Sequence, residues 1–173
     1  MTMKKTILIT GGCRSGKSNY ALELASRYKK KVFIATAEAL DDEMGKRIMK
    51  HREKRDQSFV TIEEPLYIAK SLSALTEETD VVIIDCLTLW LGNLMHQREL
   101  QSLEFPEITS FLEVIKCPIL DIIIVTNEVG LGVIPDNLIG RHFCDLAGEL
   151  NQKVANFAQK VFFMVSGIPM ELK

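Results

Sequence analysis

Eight residues near the start of the chain, Gly11-Gly12-Cys13-Arg14-Ser15-Gly16-Lys17-Ser18, leave few choices of fold. They follow an apolar run, Ile7-Leu8-Ile9, and precede a segment with helical spacing. The pattern G-x-x-x-x-G-K-S thus stands in the setting it requires: strand, glycine-rich turn, helix. Glycines let a backbone wrap closely around phosphate oxygens because no Cβ blocks the approach. The N–H groups of the turn and the helix start converge there, and the helix dipole favours an anion. Lys17 is expected to reach the β- and γ-phosphates, and Ser18 to place its hydroxyl on Mg²⁺. A chance glycine-rich turn is the alternative, and the flanking strand and helix argue against it.

At 173 residues the chain suffices for one domain with a real core, and we expect residues 1–173 to form a single nucleotide-binding catalytic domain. The formal net charge of −2 gives no global basic field, so neither nucleic acid nor anionic membrane is an expected partner. Cys13, Cys86, Cys117 and Cys144 are far apart and include no C-x-x-C pair, which argues against a zinc site and a disulfide scaffold. They read as reduced thiols of a cytoplasmic protein, Cys86, Cys117 and Cys144 in or near the core. Residues 1–6 do not read as a signal peptide, and no apolar run approaches the roughly 18 residues of a membrane span.

Strands are expected at Thr6–Thr10, Val32–Ala35, Phe59–Ile62, Val81–Asp85, Asp121–Val125 and Val161–Val165, the last being the final strand. Helices are expected at 17–28, 41–57, 66–75, 87–94, 108–116 and 138–159. Near-continuous apolar strands alternating with helices imply a mostly parallel sheet covered on both faces. With the glycine-rich loop after the first strand, this is an α/β fold of the P-loop NTPase type, RecA-like.

Asp85 ends a buried apolar strand, where such folds hold Mg²⁺; a carboxylate capping the next helix is the alternative. His51 lies in a basic helix with a thin apolar face. Arg47, His51 and Arg55 share one side at i, i+4, i+8. A solvated surface histidine is the plain reading. The other is a nucleophile, since neighbouring cations disfavour the imidazolium and bind phosphate. Thr36 follows a strand, and its hydroxyl either touches nucleotide or caps a turn. Glu63 ends a strand, and either accepts from a guanine edge or ribose, or faces solvent. Asn127 and Glu128 follow a strand near the same edge, either orienting a substrate hydroxyl or acting as base for its phosphorylation, or serving as helix or loop caps. Arg141 and Asp145 either form an i, i+4 ion pair, a structural role, or line a subunit interface or substrate site; Trp90 reads as core or interface.

The motifs G-G-C-R-S-G-K-S, I-A-T-A, D-D-E-M-x-x-R-I-x-x-H, T-I-E-E-P, D-C-L-T-L-W, T-N-E-V-G-x-G-x-I-P and R-x-F-x-D-x-x-G-x-x-N-Q occur in this order from Thr10 to about Gly167. In these the chain resembles the bifunctional adenosylcobinamide kinase / adenosylcobinamide-phosphate guanylyltransferase family; 94–117 carries no matching motif. The resemblance implies phosphorylation of adenosylcobinamide with ATP or GTP. Transfer of GMP from GTP to that phosphate follows, through a guanylylated histidine that corresponds to His51. It implies catalytic roles for His51 and Lys17. It implies nucleotide contacts from Gly11, Gly12, Cys13, Arg14, Ser15, Gly16, Lys17 and Ser18, from Ala35, Thr36 and Ala37, from Arg52, Glu53, Lys54 and Arg55, and from Glu63 and Asp85. Mg²⁺ falls to Ser18 and Asp85, and a homotrimer is expected. Cys13 replaces the alanine usual in the family, and Lys50 stands where some members carry a second histidine. Two rivals remain: a plain P-loop small-molecule kinase, which leaves His51 idle, and a non-catalytic nucleotide-binding regulatory module.

Overall fold

The computed structural model describes residues 4–39, 42–53, 58–97 and 105–173. Strands β1 (Thr6–Gly11), β2 (Lys31–Ala35), β3 (Phe59–Glu63), β4 (Val81–Asp85), β5 (Asp121–Val125), β6 (Lys160–Val165) and β7 (Ile168–Glu171) form one sheet in the order β3-β2-β4-β5-β1-β6-β7. The first six run parallel and β7 is antiparallel to β6. The helices are α1 (Lys17–Ala25), α2 (Asp42–Glu53), α3 (Ile68–Ser73), α4 (Leu87–Gln97), α5 (Pro106–Lys116) and α6 (Leu138–Phe157).

Alternation along the strands divides two cores. Leu8, Val32, Ile34, Val82, Ile84, Ile122, Ile124 and Val161 face one side, where α3, α4, α5 and α6 pack. Ile7, Ile9, Phe33, Val81, Ile83, Ile123, Val125 and Phe162 face the other, closed by Ala21 and Ala25 of α1. Burial on both faces is why β4 and β5 read as unbroken Val/Ile runs. Trp90 is fully buried, edge-on to Phe111 at 5.2 Å between centroids. The expected fold, a mostly parallel sheet with helices on both faces, is present.

The structure corrects the expected end of the chain. Val161–Val165 is not the last strand. Ser166 and Gly167, both at positive φ (52° and 86°), make a two-residue turn, and Ile168–Glu171 returns alongside β6. Pro169 is accommodated because β7 is an edge strand, where a missing N–H is tolerated. Helix α1 ends three residues before the expected Tyr28, because the chain must turn back into β2. Asp80 accepts from the N–H groups of Lys29 and Lys30 in that turn, at 3.1 and 2.8 Å. Cys117 is exposed, not core: it caps the C-terminus of α5.

The phosphate loop and the C-terminal edge of the sheet

Strand register fixes the site. Glu63 of β3 pairs with Ala35 of β2, Ala35 with Asp85 of β4, Asp85 with Val125 of β5, and Val125 with Ile9 of β1. The residues nominated on four separate stretches of sequence therefore stand at one edge. Strand β5 lies between the strand ending in Asp85 and the strand leading into the glycine-rich loop. Four inter-strand spacings separate Glu63 from Ile9, about 19 Å at roughly 4.8 Å each.

The loop is held from below. Gly11 sits at φ 140°, and a Cβ there would come 2.6 Å from the Met164 carbonyl oxygen of β6. Gly16, the N-cap of α1 at φ 99°, would bring a Cβ to 3.1 Å from the Cα of Gly167. Both positions need glycine for backbone conformation and for close approach. The Gly167 N–H donates to the Ser15 carbonyl at 2.9 Å, so the β6–β7 turn braces the loop. Arg14 is left-handed at φ 57°, and Gly12, Cys13 and Arg14 are exposed, whereas Ser15 and Ser18 are half-buried. Lys17 is buried, and its ammonium donates to the carbonyls of Gly11 (3.0 Å) and Gly12 (2.6 Å). Burial lowers its pKa below the usual 10.5, and the nearby Cys86 and Asp85 oppose that shift.

Asp85 is half-buried, within electrostatic reach of Lys17. No cluster of three or more His, Cys, Asp or Glu suited to a metal occurs among the described residues. Mg²⁺ is commonly held by one or two carboxylates together with waters and substrate phosphates. The oxygen donors of Ser18 and Asp85 fit such a role. Burial, then Asp85, push the neighbouring Cys86 thiol up to about 12, so it is an inert core group.

Thr36 is fully buried. Its hydroxyl donates to the Cys86 carbonyl (2.8 Å) and accepts from the Cys86 N–H (2.7 Å), a reciprocal clamp between the ends of β2 and β4. The capping role is therefore present: the hydroxyl proton is committed to the backbone, and one oxygen lone pair is left. Ala35 is buried beneath the edge and Ala37 half-buried beyond it. Glu63 is exposed and meets Arg52 at 3.0 Å, so two nominated nucleotide contacts pair with each other. His51 and Glu53 lie in the last turn of α2, but their side chains, like that of Arg47, fall outside the described residues, as do Lys54 and Arg55 entirely.

Several groups had no clear signal in the sequence. The Glu64 carboxylate accepts from the N–H groups of Leu66 and Tyr67 (3.0 and 2.8 Å), fixing the turn at Pro65. From α4, the Trp90 indole donates to the Leu66 carbonyl (2.7 Å), and the Asn93 amide donates to the carbonyls of Thr36 (2.7 Å) and Pro65 (3.2 Å). Thr88, on the same helix, accepts from the Asn127 N–H at 2.7 Å. Helix α4 thus staples the loops after β2, β3 and β5, which gives D-C-L-T-L-W its structural meaning. Past β5, the Glu128 N–H donates to the Gly11 carbonyl at 3.0 Å. Arg141 does not serve as half of a helix-surface pair; its guanidinium donates to the carbonyls of Pro135 and Asp136 (3.1 and 2.8 Å) and shapes the loop before α6.

Comparisons with known proteins bear on the family and the fold. The model of the family described as cobinamide kinase / cobinamide phosphate guanyltransferase matches residues 7–172. The chain is 44% identical to the bifunctional adenosylcobalamin biosynthesis protein CobP of Pseudomonas aeruginosa, over 96% of each chain. It is 36% identical to the bifunctional adenosylcobalamin biosynthesis protein CobU of Escherichia coli, over 96% of this chain and 99% of that one. Among solved structures it superposes on the RadB recombinase with a TM-score of 0.54 at 13% identity, covering 92% of this chain and 73% of that one. A type III secretion ATPase gives 0.59 at 11% identity, covering 96% and 56%. These two likenesses concern the fold alone, that of RecA-like P-loop proteins.

Proposed function

Because the chain belongs to the cobinamide kinase / cobinamide phosphate guanyltransferase family, we propose that it carries out both reactions on one sheet edge, the second through a guanylylated His51. It is an enzyme of cobalamin biosynthesis with kinase and guanylyltransferase character. The observation that carries the reading is the register row. The phosphate loop, Asp85, and the Glu63–Arg52 pair beside the His51 turn lie along about 19 Å of one edge, a span suited to an extended nucleoside triphosphate.

In the first reaction Lys17 and the loop N–H groups neutralise the polyphosphate of ATP or GTP. The γ-phosphoryl passes to the aminopropanol hydroxyl of adenosylcobinamide, leaving the nucleoside diphosphate. Ser18 and Asp85 would hold a Mg²⁺ ion beside the phosphates, and that ion would supply further charge neutralisation. In the second, a nitrogen of His51 attacks the α-phosphorus of GTP and pyrophosphate leaves, gripped by the same loop. The phosphate of adenosylcobinamide phosphate then displaces His51, giving adenosylcobinamide-GDP and the free imidazole. We assign the chemistry to one domain spanning residues 1–173, in a cytoplasmic homotrimer. No helix of the described residues is long and apolar enough to cross a membrane.

Labelled GTP tests this. Label on the α-phosphate is expected to become protein-bound, acid-labile and lost in His51→Ala, whereas label on the γ-phosphate is expected in cobinamide phosphate and in released pyrophosphate and never on the protein. Cobinamide phosphorylation without any covalent label leaves the plain kinase, and nucleotide binding with neither reaction leaves the regulatory module.

A further inference from the structure

Behind the end of β5 four hydrogen bonds close into a ring. The Thr126 hydroxyl donates to Asn151 Oδ1 (2.9 Å). Asn151 Nδ2 donates to the Asn127 carbonyl (3.2 Å), and the Asn127 N–H donates to Thr88 Oγ1 (2.7 Å). Thr88 and Thr126 Oγ1 are 3.3 Å apart. Since the Thr126 proton is used, the Thr88 hydroxyl is the donor there, and every donor in the ring has one acceptor. Thr126 and Asn151 are buried, so each bond polarises the next in a low-dielectric setting. Both peptide groups of Asn127 are gripped by side chains from two helices, α4 and α6. One residue on, the Glu128 N–H is bonded to the Gly11 carbonyl of the phosphate loop.

The ring ties together elements from distant parts of the chain. It fixes the Asn127-Glu128 segment relative to three things at once: Asp85 (three residues before Thr88), the phosphate loop, and α6. Strand β5 lies between the Asp85 strand and the loop strand, beside the position where Lys17 would hold a γ-phosphoryl group. The Arg52–Glu63 pair that marks the His51 turn is on β3, three strands from β5. We propose that Thr88 and Asn151 are positioning residues for the phosphoryl-transfer half of the activity: through the peptide of Asn127 they hold Asn127 and Glu128 against the acceptor hydroxyl. This rests on the bifunctional reading above, and it predicts a division between the two half-reactions that a merely structural ring would not produce.

The test uses the full-length protein in four forms: wild type, Thr88→Val, Thr88→Ser and Asn151→Asp. Thr88→Val removes the acceptor for the Asn127 N–H and the donor to Thr126. Thr88→Ser keeps both. Asn151→Asp keeps the acceptor for Thr126 and loses the donor to Asn127. Phosphorylation of cobinamide from γ-labelled nucleotide, GMP loading from α-labelled GTP and thermal unfolding are measured in parallel. The expected result is a fall of about tenfold or more in kcat for phosphorylation in Thr88→Val and Asn151→Asp, the scale set by small misplacements of reacting groups. Nucleotide KM and GMP loading should stay within about twofold, and Thr88→Ser should match wild type. Undiminished phosphorylation in Thr88→Val overturns the inference. So does a parallel loss of both half-reactions that tracks the melting temperature. A wild-type protein that loads GMP but does not phosphorylate cobinamide removes the bifunctional reading itself, before any variant is needed.

Discussion

Arg52 of α2 and Glu63 at the end of β3 meet at 3.0 Å with more than half of each side chain in solvent (58% and 59%). An ion pair so exposed contributes at most about 1 kcal/mol to stability. Its value lies in where it holds α2, since His51 is the residue before Arg52. Glu63→Gln is expected to leave unfolding within about 1 kcal/mol of wild type and to slow GMP loading about tenfold, because small misplacements of a nucleophile are costly. The charge-swapped pair, Arg52→Glu with Glu63→Arg, separates two causes. Recovery of loading assigns the effect to helix placement; no recovery assigns it to direct contact of these side chains with nucleotide.

Lys17 combines a functional gain with a folding cost. Its ammonium is buried against two loop carbonyls, and its pKa lies below 10.5 chiefly because of that burial. Between the folded and unfolded values the unfolded chain binds more protons, so this group makes stability rise as pH climbs towards 10.5. Lys17→Met is expected to remove that alkaline gain while leaving the neutral-pH stability no lower. The Gly11 carbonyl keeps the Glu128 N–H, and Gly12 is exposed to water. Both half-reactions should fall by about 10² to 10³, the scale for one preorganised donor. Paired denaturant titrations at pH 7 and pH 10 measure the first effect; equal pH responses in the two proteins would contradict it.

Much of this edge was legible because it is local. The glycine-rich loop, the β4 run ending in Asp85 and the β5 run ending before Thr126 each carry their signal within a few residues. Long-range satisfaction is not written locally. Nothing around Thr36 says that its hydroxyl will be taken by Cys86, fifty residues away, or around Asn151 that it will hold the peptide of Asn127. For Arg141 the structural role holds but the partners differ: the i, i+4 spacing to Asp145 is visible in the sequence, whereas the carbonyls of Pro135 and Asp136 come within its reach only once the preceding loop folds. The β7 strand is short and contains Pro169, and its place at the sheet edge, where proline is tolerated, follows only from the strand order.

Thr10 and Thr126 are adjacent on β1 and β5, one residue beyond the Ile9–Val125 pair, yet they are expected to respond in opposite directions. Thr126 donates within the buried ring, whereas the Thr10 hydroxyl is buried without a hydrogen-bond partner among the described residues. An unsatisfied buried hydroxyl costs roughly 1–3 kcal/mol, and replacing it with a methyl of similar shape relieves that. Thr10→Val should therefore unfold at the same or a higher temperature than wild type, and Thr126→Val lower by an amount equivalent to about 1–3 kcal/mol. Calorimetry of the two variants decides it; destabilisation by Thr10→Val would mean that its hydroxyl is satisfied.

The four cysteines offer a readout of the site that needs no substrate. Cys13 and Cys117 are exposed, Cys144 is half-buried, and Cys86 is buried beside Asp85 with its thiol pushed up to about 12. At pH 8 the Cys86 thiolate is about one part in 10⁴, and thiolate is the reactive form. A maleimide should modify Cys13 and Cys117 rapidly in the native protein and reach Cys86 only after unfolding, as mass mapping of the labelled peptides would show. Cys13 lies in the phosphate loop, four residues before Lys17, so the adduct is expected to obstruct nucleotide where the thiol itself does not. Cys13→Ala should keep both activities within about twofold of wild type, the usual tolerance of an exposed substitution, and should be resistant to inactivation by maleimide. If the alanine variant is inactivated as fast as wild type, the sensitive thiol is elsewhere and the phosphate loop is not the point of obstruction.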